Sequence, residues 1–440
     1  MSADPKSAAL ATAALTSTSA RHALPLSPRF KSFPARSWGS DVASFLAKAP
    51  TLSEFQTPLL TLEAPALAHN TSIMFDWLRK NELQLAPHGK TTMAPVLWRQ
   101  LLDAGAWGMT FATAWQVQVA RSFSIERIML ANALVDPVAL RWVALELETH
   151  PEFEFTCWVD SVDTVNRMLA ARPVGQRKIA VIIELGGPNG RTGARTVAEG
   201  VQIAEAVRNS DLLEVAGVGG YEGALAHDRS AAGLTHVDNY LDELAVLHTT
   251  LKDAGHYGNR TPIITAGGSA YFDRVADRLG PLRDGATIVL RSGAFQIHDD
   301  GFYSGITPMG TLVGNEPFRA GMHAWVRVVS RPEPLLALFD AGKRDVPYDE
   351  GMPIAQRVLG LDAATSNAVL AGSRVSALND QHGFLRLAEF AQTDALHVGS
   401  VIRLGLSHPC TAFDKWRLVP VIDDAESDDP RIIDAVETYF

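Results

Sequence analysis

Between Leu83 and Leu290 the sequence repeats one theme: a short apolar run, a turn, and a stretch with helical period. The runs fall at Leu83–Pro87, Trp107–Ala112, Arg127–Asn132, Glu152–Val159, Lys178–Leu185, Leu212–Val218, Pro262–Ala266 and Ala286–Leu290. Helical patterns separate them, clearest at Pro137–Leu147, Val197–Val207 and His236–Leu251. Eight such units in succession predict a (β/α)8 TIM-like barrel, because parallel strands buried on both faces need covering helices. An open doubly wound sheet would carry a glycine-rich dinucleotide turn after its first strand, and the sequence has none there. An opening strand, Thr57–Leu62, and a helix with Leu67, Ile73, Met74, Trp77 and Leu78 on one face lead into the first unit.

Past about Thr307 the texture changes to alternating, valine-rich runs broken by Pro, Gly and Asp: Ala324–Val329, Leu335–Phe339, Val375–Leu378, Phe384–Leu387, Ser400–Leu404 and Arg417–Ile422. Alternation of that kind predicts an antiparallel β domain. The expected division is an extension over 1–50, a barrel over 51–306 and a β domain over 307–440. The first thirty or so residues read as a disordered tail. A net charge of −10 argues against nucleic acid or an anionic membrane as partner. No apolar run approaches a membrane span. Cys157 and Cys410 are the only cysteines and lie far apart, so no disulfide framework is expected and a reducing cytoplasm fits.

The chemistry gathers at strand ends. Pro87-His88-Gly89-Lys90-Thr91-Thr92-Met93-Ala94-Pro95 follows the first barrel run and sets Lys90 at a strand's carboxyl end, where barrels carry reactive groups. A lysine there either snorkels to water or serves as an amine that forms a Schiff base with a carbonyl cofactor. The stretch resembles the pyridoxal-phosphate lysine motif of the D-threonine aldolase and D-serine dehydratase family, fold-type III enzymes related to alanine racemase. The resemblance covers roughly Thr57 to Leu418.

If Lys90 holds pyridoxal phosphate, as the resemblance implies, the phosphate needs a cradle, which barrels build in their late loops. Thr265-Ala-Gly-Gly-Ser-Ala-Tyr271 follows the seventh barrel run: Gly267 and Gly268 let the backbone approach an anion, and Ser269 adds a hydroxyl. Arg291-Ser-Gly-Ala294, with Ser292 and Gly293, holds the equivalent place after the eighth. A Gly-Gly-Ser sequence by itself is also an ordinary tight turn. Gly186 to Gly193 resembles the family's Gly-x-x-Arg-x-Gly segment, which brings Arg191 to the cofactor or substrate. A guanidinium fork suits a carboxylate, although an arginine in a polar loop also suits plain solvent. Tyr221 is similar to the family's active-site tyrosine, or closes the barrel as a buried aromatic. His88 either hydrogen-bonds the cofactor or buttresses the loop.

His408 and Cys410 lie two apart, so an extended chain turns both to one face. Imidazole and thiolate make a partial ligand set for zinc. Spacing alone is a weak signal here, and the resemblance strengthens it. Family members hold a divalent metal at this place, the cysteine form being similar to zinc-dependent D-serine dehydratases and an aspartate form to manganese-using D-threonine aldolases. His382 resembles a catalytic position near that metal, but its neighbours Asp380 and Gln381 depart from the expected acidic pair. The resemblance implies a small D-β-hydroxy amino acid as substrate, Lys90 as the base at Cα, and elimination to a 2-oxo acid and ammonia. The same parts serve retro-aldol cleavage to glycine and an aldehyde, and Cys410 favours elimination. A non-catalytic pyridoxal-phosphate-binding protein would need neither the β domain nor the His-Pro-Cys element. A racemase would use a second base and no metal. A homodimer, with the partner's β domain completing the site, is likewise implied by resemblance.

Overall fold

The structure is a computed structural model and describes residues 25–171, 175–188, 190–312, 316–389, 391 and 393–440. Its first strand, β1 (Leu59–Glu63), leads into a long helix, Ala64–Asn81. Eight parallel strands follow: β2 (Gln84–Leu85), β3 (Met109–Phe111), β4 (Arg127–Ala133), β5 (Glu154–Val159), β6 (Ile179–Glu184), β7 (Leu213–Gly219), β8 (Ile263–Ala266) and β9 (Thr287–Leu290). They pair in the order β3-β4-β5-β6-β7-β8-β9-β2. The ring closes between β2 and β3, where the Trp107 N–H donates to Leu85 O (2.8 Å) and the Thr110 N–H to Pro87 O (2.9 Å). Five of the helices between strands start where a side-chain oxygen can take their free N–H groups. Thr113, Asp136, Ser161, Thr196 and Ser230 all cap in this way.

Strand periodicity then decides what reaches the barrel mouth. On β6, Ala180 and Ile182 turn inward with Met129, Trp158, Ile263 and Val289, while Val181 and Ile183 join the core under the helices. Two residues further along the same inward register come Glu184, Thr265 and Arg291. Polar groups therefore arrive at the carboxyl ends without disturbing the apolar plug beneath.

The β domain comprises β10 (Met322–Glu333), β11 (Leu336–Phe339), β12 (Ile354–Val358), β13 (Arg374–Leu378), β14 (Gly383–Arg386), β15 (Val401–Gly405), β16 (Leu418–Ile422) and β17 (Ile432–Glu437). All six runs expected from the sequence form strands, and β12 and β17 are additional. The sheet runs β13-β14-β11-β10-β1-β16-β17, with β15 also on β10 and β12 on β15.

β1 belongs here and not to the barrel. It lies antiparallel to β10, Leu59 facing Trp325, and parallel to β16. Leu59, Leu60 and Leu62 are all buried, as a central strand requires. The residues before it pack in the same core. Phe33, Phe45 and Phe55 form a ring cluster with centroids 5.2–6.1 Å apart. The division expected at residue 51 is therefore corrected: the chain enters the β domain, makes the barrel, and returns. The tail expected to be disordered lies largely outside the described residues. Leu26 and Phe30, at its end, are buried. No helix among the described residues is long and apolar enough to cross a membrane.

Candidate active site

A cavity of about 540 Å3 opens at the carboxyl ends of the barrel strands, walled on one side by Lys90 and His88 and on another by His408 and Cys410 of the β domain. Its size suits a small molecule. Lys90 sits in a 3-10 turn, Gly89–Thr91, immediately after β2. Two bonds to one carbonyl hold that turn: the Trp98 Nε1–H and the Met93 N–H both donate to Gly89 O (3.0 and 2.9 Å). Glycine is required at 293 because a Cβ there would lie 2.7 Å from the His88 carbonyl oxygen. The β9 loop thus presses directly on the lysine turn. His88 is held well below its ordinary pKa by burial, then by Lys90, Arg291 and Arg191, so its imidazole is neutral. Its Nδ1 has no partner among the described residues.

The cavity floor is built around a buried guanidinium. Arg291 donates to Thr265 Oγ1 (2.6 Å) and Gly220 O (2.5 Å) and lies 4.7 Å over the Trp158 ring. Burial lowers its pKa and nearby Glu222 opposes this; an arginine keeps its charge. Arg291 Nε is a second buried nitrogen without a described partner. Glu222, fully buried, accepts the N–H groups of Gly267 (3.0 Å) and Gly268 (2.6 Å). The Ser292 hydroxyl donates to the carbonyls of the same two glycines (3.1 and 3.0 Å). Gly268, Ser269 and Gly293 wall the cavity, whereas Gly267 and Ser292 do not. The N–H groups of Ser269, Ala270 and Gly293 donate to no other described residue, and those of Ser269 and Gly293, on the cavity wall, are left for an anion. Free amides, orphaned ring and guanidinium nitrogens and an accessible lysine together fit pyridoxal phosphate.

Arg191 and Tyr221 meet at the rim, the guanidinium 5.2 Å from the ring centre. Arg195 folds the Arg191 loop by donating to the carbonyls of Thr192 (2.9 Å), Gly193 (3.2 Å) and Arg191 (3.0 Å). Burial, and then Glu222, pushes the Tyr221 phenol up to about 12.

On the β-domain side His408 adopts a left-handed backbone (φ 57°). Buried Asp299 holds it there, accepting the His408 N–H at Oδ2 (2.8 Å) while Oδ1 takes the N–H groups of Gly301, Tyr303 and Ser304. His408 Nδ1 pairs with Asp349 Oδ2 (2.6 Å), so Nε2 is the ring nitrogen left for a ligand. Asp349 also accepts from the Thr411 hydroxyl (2.7 Å). Burial would lower the His408 pKa, but Cys410 and Asp349 lift it to about 9. Burial likewise opposes ionisation of Cys410, and His408 outweighs it, holding the thiol below its ordinary value. Thr91 Oγ1 lies 3.4 Å from Cys410 Sγ, joining the lysine turn to this pair. Imidazole and thiolate fit zinc as two ligands, and no group of three His, Cys, Asp or Glu among the described residues is placed to hold a cation.

His382 is not brought to this site within one chain. It is exposed at the turn joining β13 to β14, at the far edge of the sheet, and does not wall the cavity. Residues that sequence reasoning passed over include Thr91, Trp158, Glu222, Asp299, Tyr303 and Asp349. Trp158 and Glu222 carried a signal, being at strand ends. Asp349 and Asp299 had none, since only the fold brings them to His408.

Residues 321–422 match the family model of the putative serine dehydratase domain. The chain is similar to the D-threonine aldolase of Arthrobacter sp, 25% identical over 380 residues, which are 86% of this chain and 92% of that protein. It superposes on the structure of D-threonine aldolase from Filomicrobium marinum with a TM-score of 0.72 at 21% identity, covering 89% and 96% of the two chains. On D-threo-3-hydroxyaspartate dehydratase from Delftia sp. HT23 the TM-score is 0.68 at 18% identity, covering 88% and 99%. Solved variants of a D-threo-3-hydroxyaspartate dehydratase replace a histidine and, two positions later, a cysteine by alanine, the latter in a metal-free form.

Proposed function

The chain belongs to the family that joins D-threonine aldolases and D-serine dehydratases on the alanine racemase-like fold, and from that premise we propose a pyridoxal-phosphate- and metal-dependent lyase of D-β-hydroxy amino acids. Its reaction is dehydration of D-serine or D-threonine to a 2-oxo acid and ammonia. The observation that carries the reading is the meeting of Lys90 with His408 and Cys410, from two domains, in one cavity.

Pyridoxal phosphate held covalently by Lys90 would supply an electron sink for the pair left at Cα. The free amides of Ser269 and Gly293 would receive its phosphate. Lys90 Nζ, on the cavity wall, takes the proton from Cα. Neutral His88 beside it adds no competing charge to the lysine turn. Arg191 binds the substrate carboxylate through paired N–H donors at the rim. His408 Nε2 and Cys410 Sγ would hold a divalent cation, zinc before manganese, supplying Lewis acidity to the β-oxygen. Each unit by which the leaving oxygen's basicity falls is worth about 1.4 kcal/mol.

The histidine–cysteine spacing shared with the solved dehydratase variants favours elimination. Retro-aldol cleavage is the second reading, favoured by likeness to the Arthrobacter aldolase. Products decide between them: pyruvate and ammonia from D-serine support dehydration, while glycine and acetaldehyde from D-threonine overturn it. Both activities should fall with a chelator. A homodimer is part of the proposal, supported by apolar groups left exposed on two faces: Trp115, Val135 and Val138 after β3 and β4, and Tyr348, Met352 and Ile354 around Asp349. Two free cysteines support a cytoplasmic setting.

A further inference from the structure

Glu222 is a buried carboxylate with no part in the chemistry above, and its position is unusual. It lies in a 3-10 turn, Glu222–Ala224, just after β7, yet both its oxygens are spent on the next loop, after β8. Those two bonds consume the Gly267 and Gly268 amides, the two that the glycine-rich sequence offers most plainly to an anion. The glycines make the arrangement possible. Gly267 has a positive φ of 89°, and a Cβ on it would lie 2.5 Å from Leu290. A Cβ on Gly268 would come to 3.0 Å from the Tyr221 ring and 3.5 Å from Glu222 Oε1. The carbonyls of the same pair are held from the other side by the Ser292 hydroxyl. Every polar backbone atom of Gly267 thus has a partner: its carbonyl also accepts the Arg291 N–H (3.1 Å). The turn is clamped from both neighbouring loops, and the amides that follow it, of Ser269 and Ala270, are without a partner among the described residues.

We propose that Glu222 is a positioning residue for the cofactor: by occupying the Gly267 and Gly268 amides it moves the phosphate seat along the chain, to Ser269 and the facing Gly293. The inference rests on the pyridoxal-phosphate reading and names the residue that shapes its phosphate end. A carboxylate this close to a phosphate would be repelled, and Arg291 offsets that. Glu222 is the leading charge acting on the buried Arg291 guanidinium, so the two neutralise each other beneath the seat. Glu222 bonds to the turn and does not wall the cavity, so it should govern how well the phosphate is held and leave the lysine's reach for the aldehyde unaltered.

The test compares two ligands on protein stripped of cofactor: pyridoxal phosphate and pyridoxal, which lacks the phosphate. Glu222→Gln keeps the shape but turns one acceptor into an NH2 group facing an amide N–H, so the turn must rotate. The variant should bind pyridoxal phosphate more weakly by about tenfold or more, the loss of one hydrogen bond to a charged acceptor. Pyridoxal affinity should stay at the wild-type value. Equal weakening for both ligands, or for neither, would overturn the inference and leave Glu222 a plain scaffold residue. If the glutamine variant does not fold, Glu222→Asp carries the same comparison, because it retains the charge but withdraws it by one methylene. A wild-type protein in which neither ligand gives visible absorbance that borohydride bleaches and Lys90→Ala abolishes would refute the cofactor reading itself, a result distinguishable from failure of the Glu222 assignment.

Discussion

Asp299 offers a sharp perturbation of the coupling between the barrel and the His408 loop. Its Oδ1 serves three N–H groups of the barrel's last turn, and its Oδ2 serves only His408, at 2.8 Å. Asp299→Asn can keep the carbonyl oxygen on the first three while the new NH2 group faces the His408 N–H. One bond to a charged acceptor is lost, about 1.5–3 kcal/mol. The left-handed His408 backbone, which costs a further ~1–2 kcal/mol, then loses the contact that holds it. If that loss is carried to the imidazole and thiolate, zinc affinity falls by about tenfold to a hundredfold. Competition with a chromophoric chelator measures this, with far-UV circular dichroism confirming an intact fold. Unchanged zinc affinity alongside an unchanged urea midpoint would refute the argument that Asp299 sets the His408 position. Zinc failing to bind the wild type at all would refute the metal site.

Lys90→Ala should abolish both turnover and the visible absorbance that borohydride bleaches; retention of that absorbance would place the cofactor elsewhere. Gly293→Ala puts a methyl 2.7 Å from the His88 carbonyl oxygen and should cost about 1–3 kcal/mol of unfolding free energy and loosen the lysine turn, measured by urea denaturation and cofactor titration. Burial lowers the pKa of His298 to about 4 and that of His88 well below its ordinary value. The unfolded chain therefore binds more protons than the folded one once pH drops below about 6.5. Stability contributed by these two residues is complete above that pH and is lost as pH falls towards 4, so the urea midpoint should decline across this window; a flat profile would contradict the neutral, buried assignment.

The barrel was legible because most of its strands are apolar runs followed by a helical period, a pattern few other folds produce. The same property concealed β1. Leu59, Leu60 and Leu62 look alike whether a strand closes a barrel or fills the middle of a sheet, and periodicity does not name a partner. Residues 25–58 were obscure for a related reason: Phe33, Phe45 and Phe55 are spaced without a period and find one another only in the folded β domain. At the site, the fold gathers Lys90, His88, Arg191, Tyr221, His408 and Cys410 around one cavity, and leaves His382 outside it. Glu222 stands next to Tyr221, which the sequence singled out, but its reach across to the next loop depends on the neighbouring strand ends. Asp349 and Asp299 approach His408 across 59 and 109 positions, distances over which local pattern has no hold.

The position of β1 bears on how this chain can be cut and how it is made. Thr61 and Trp325, bonded through the indole nitrogen at 2.8 Å, stand 264 positions apart, so the middle of the sheet cannot knit until the whole barrel has left the ribosome. Until then an apolar strand waits without neighbours, exposed to mispairing. A fragment beginning near residue 321 would hold all eight C-terminal strands with a vacant slot at their centre, and would behave as an acceptor for a peptide spanning 25–63 rather than as a self-sufficient module.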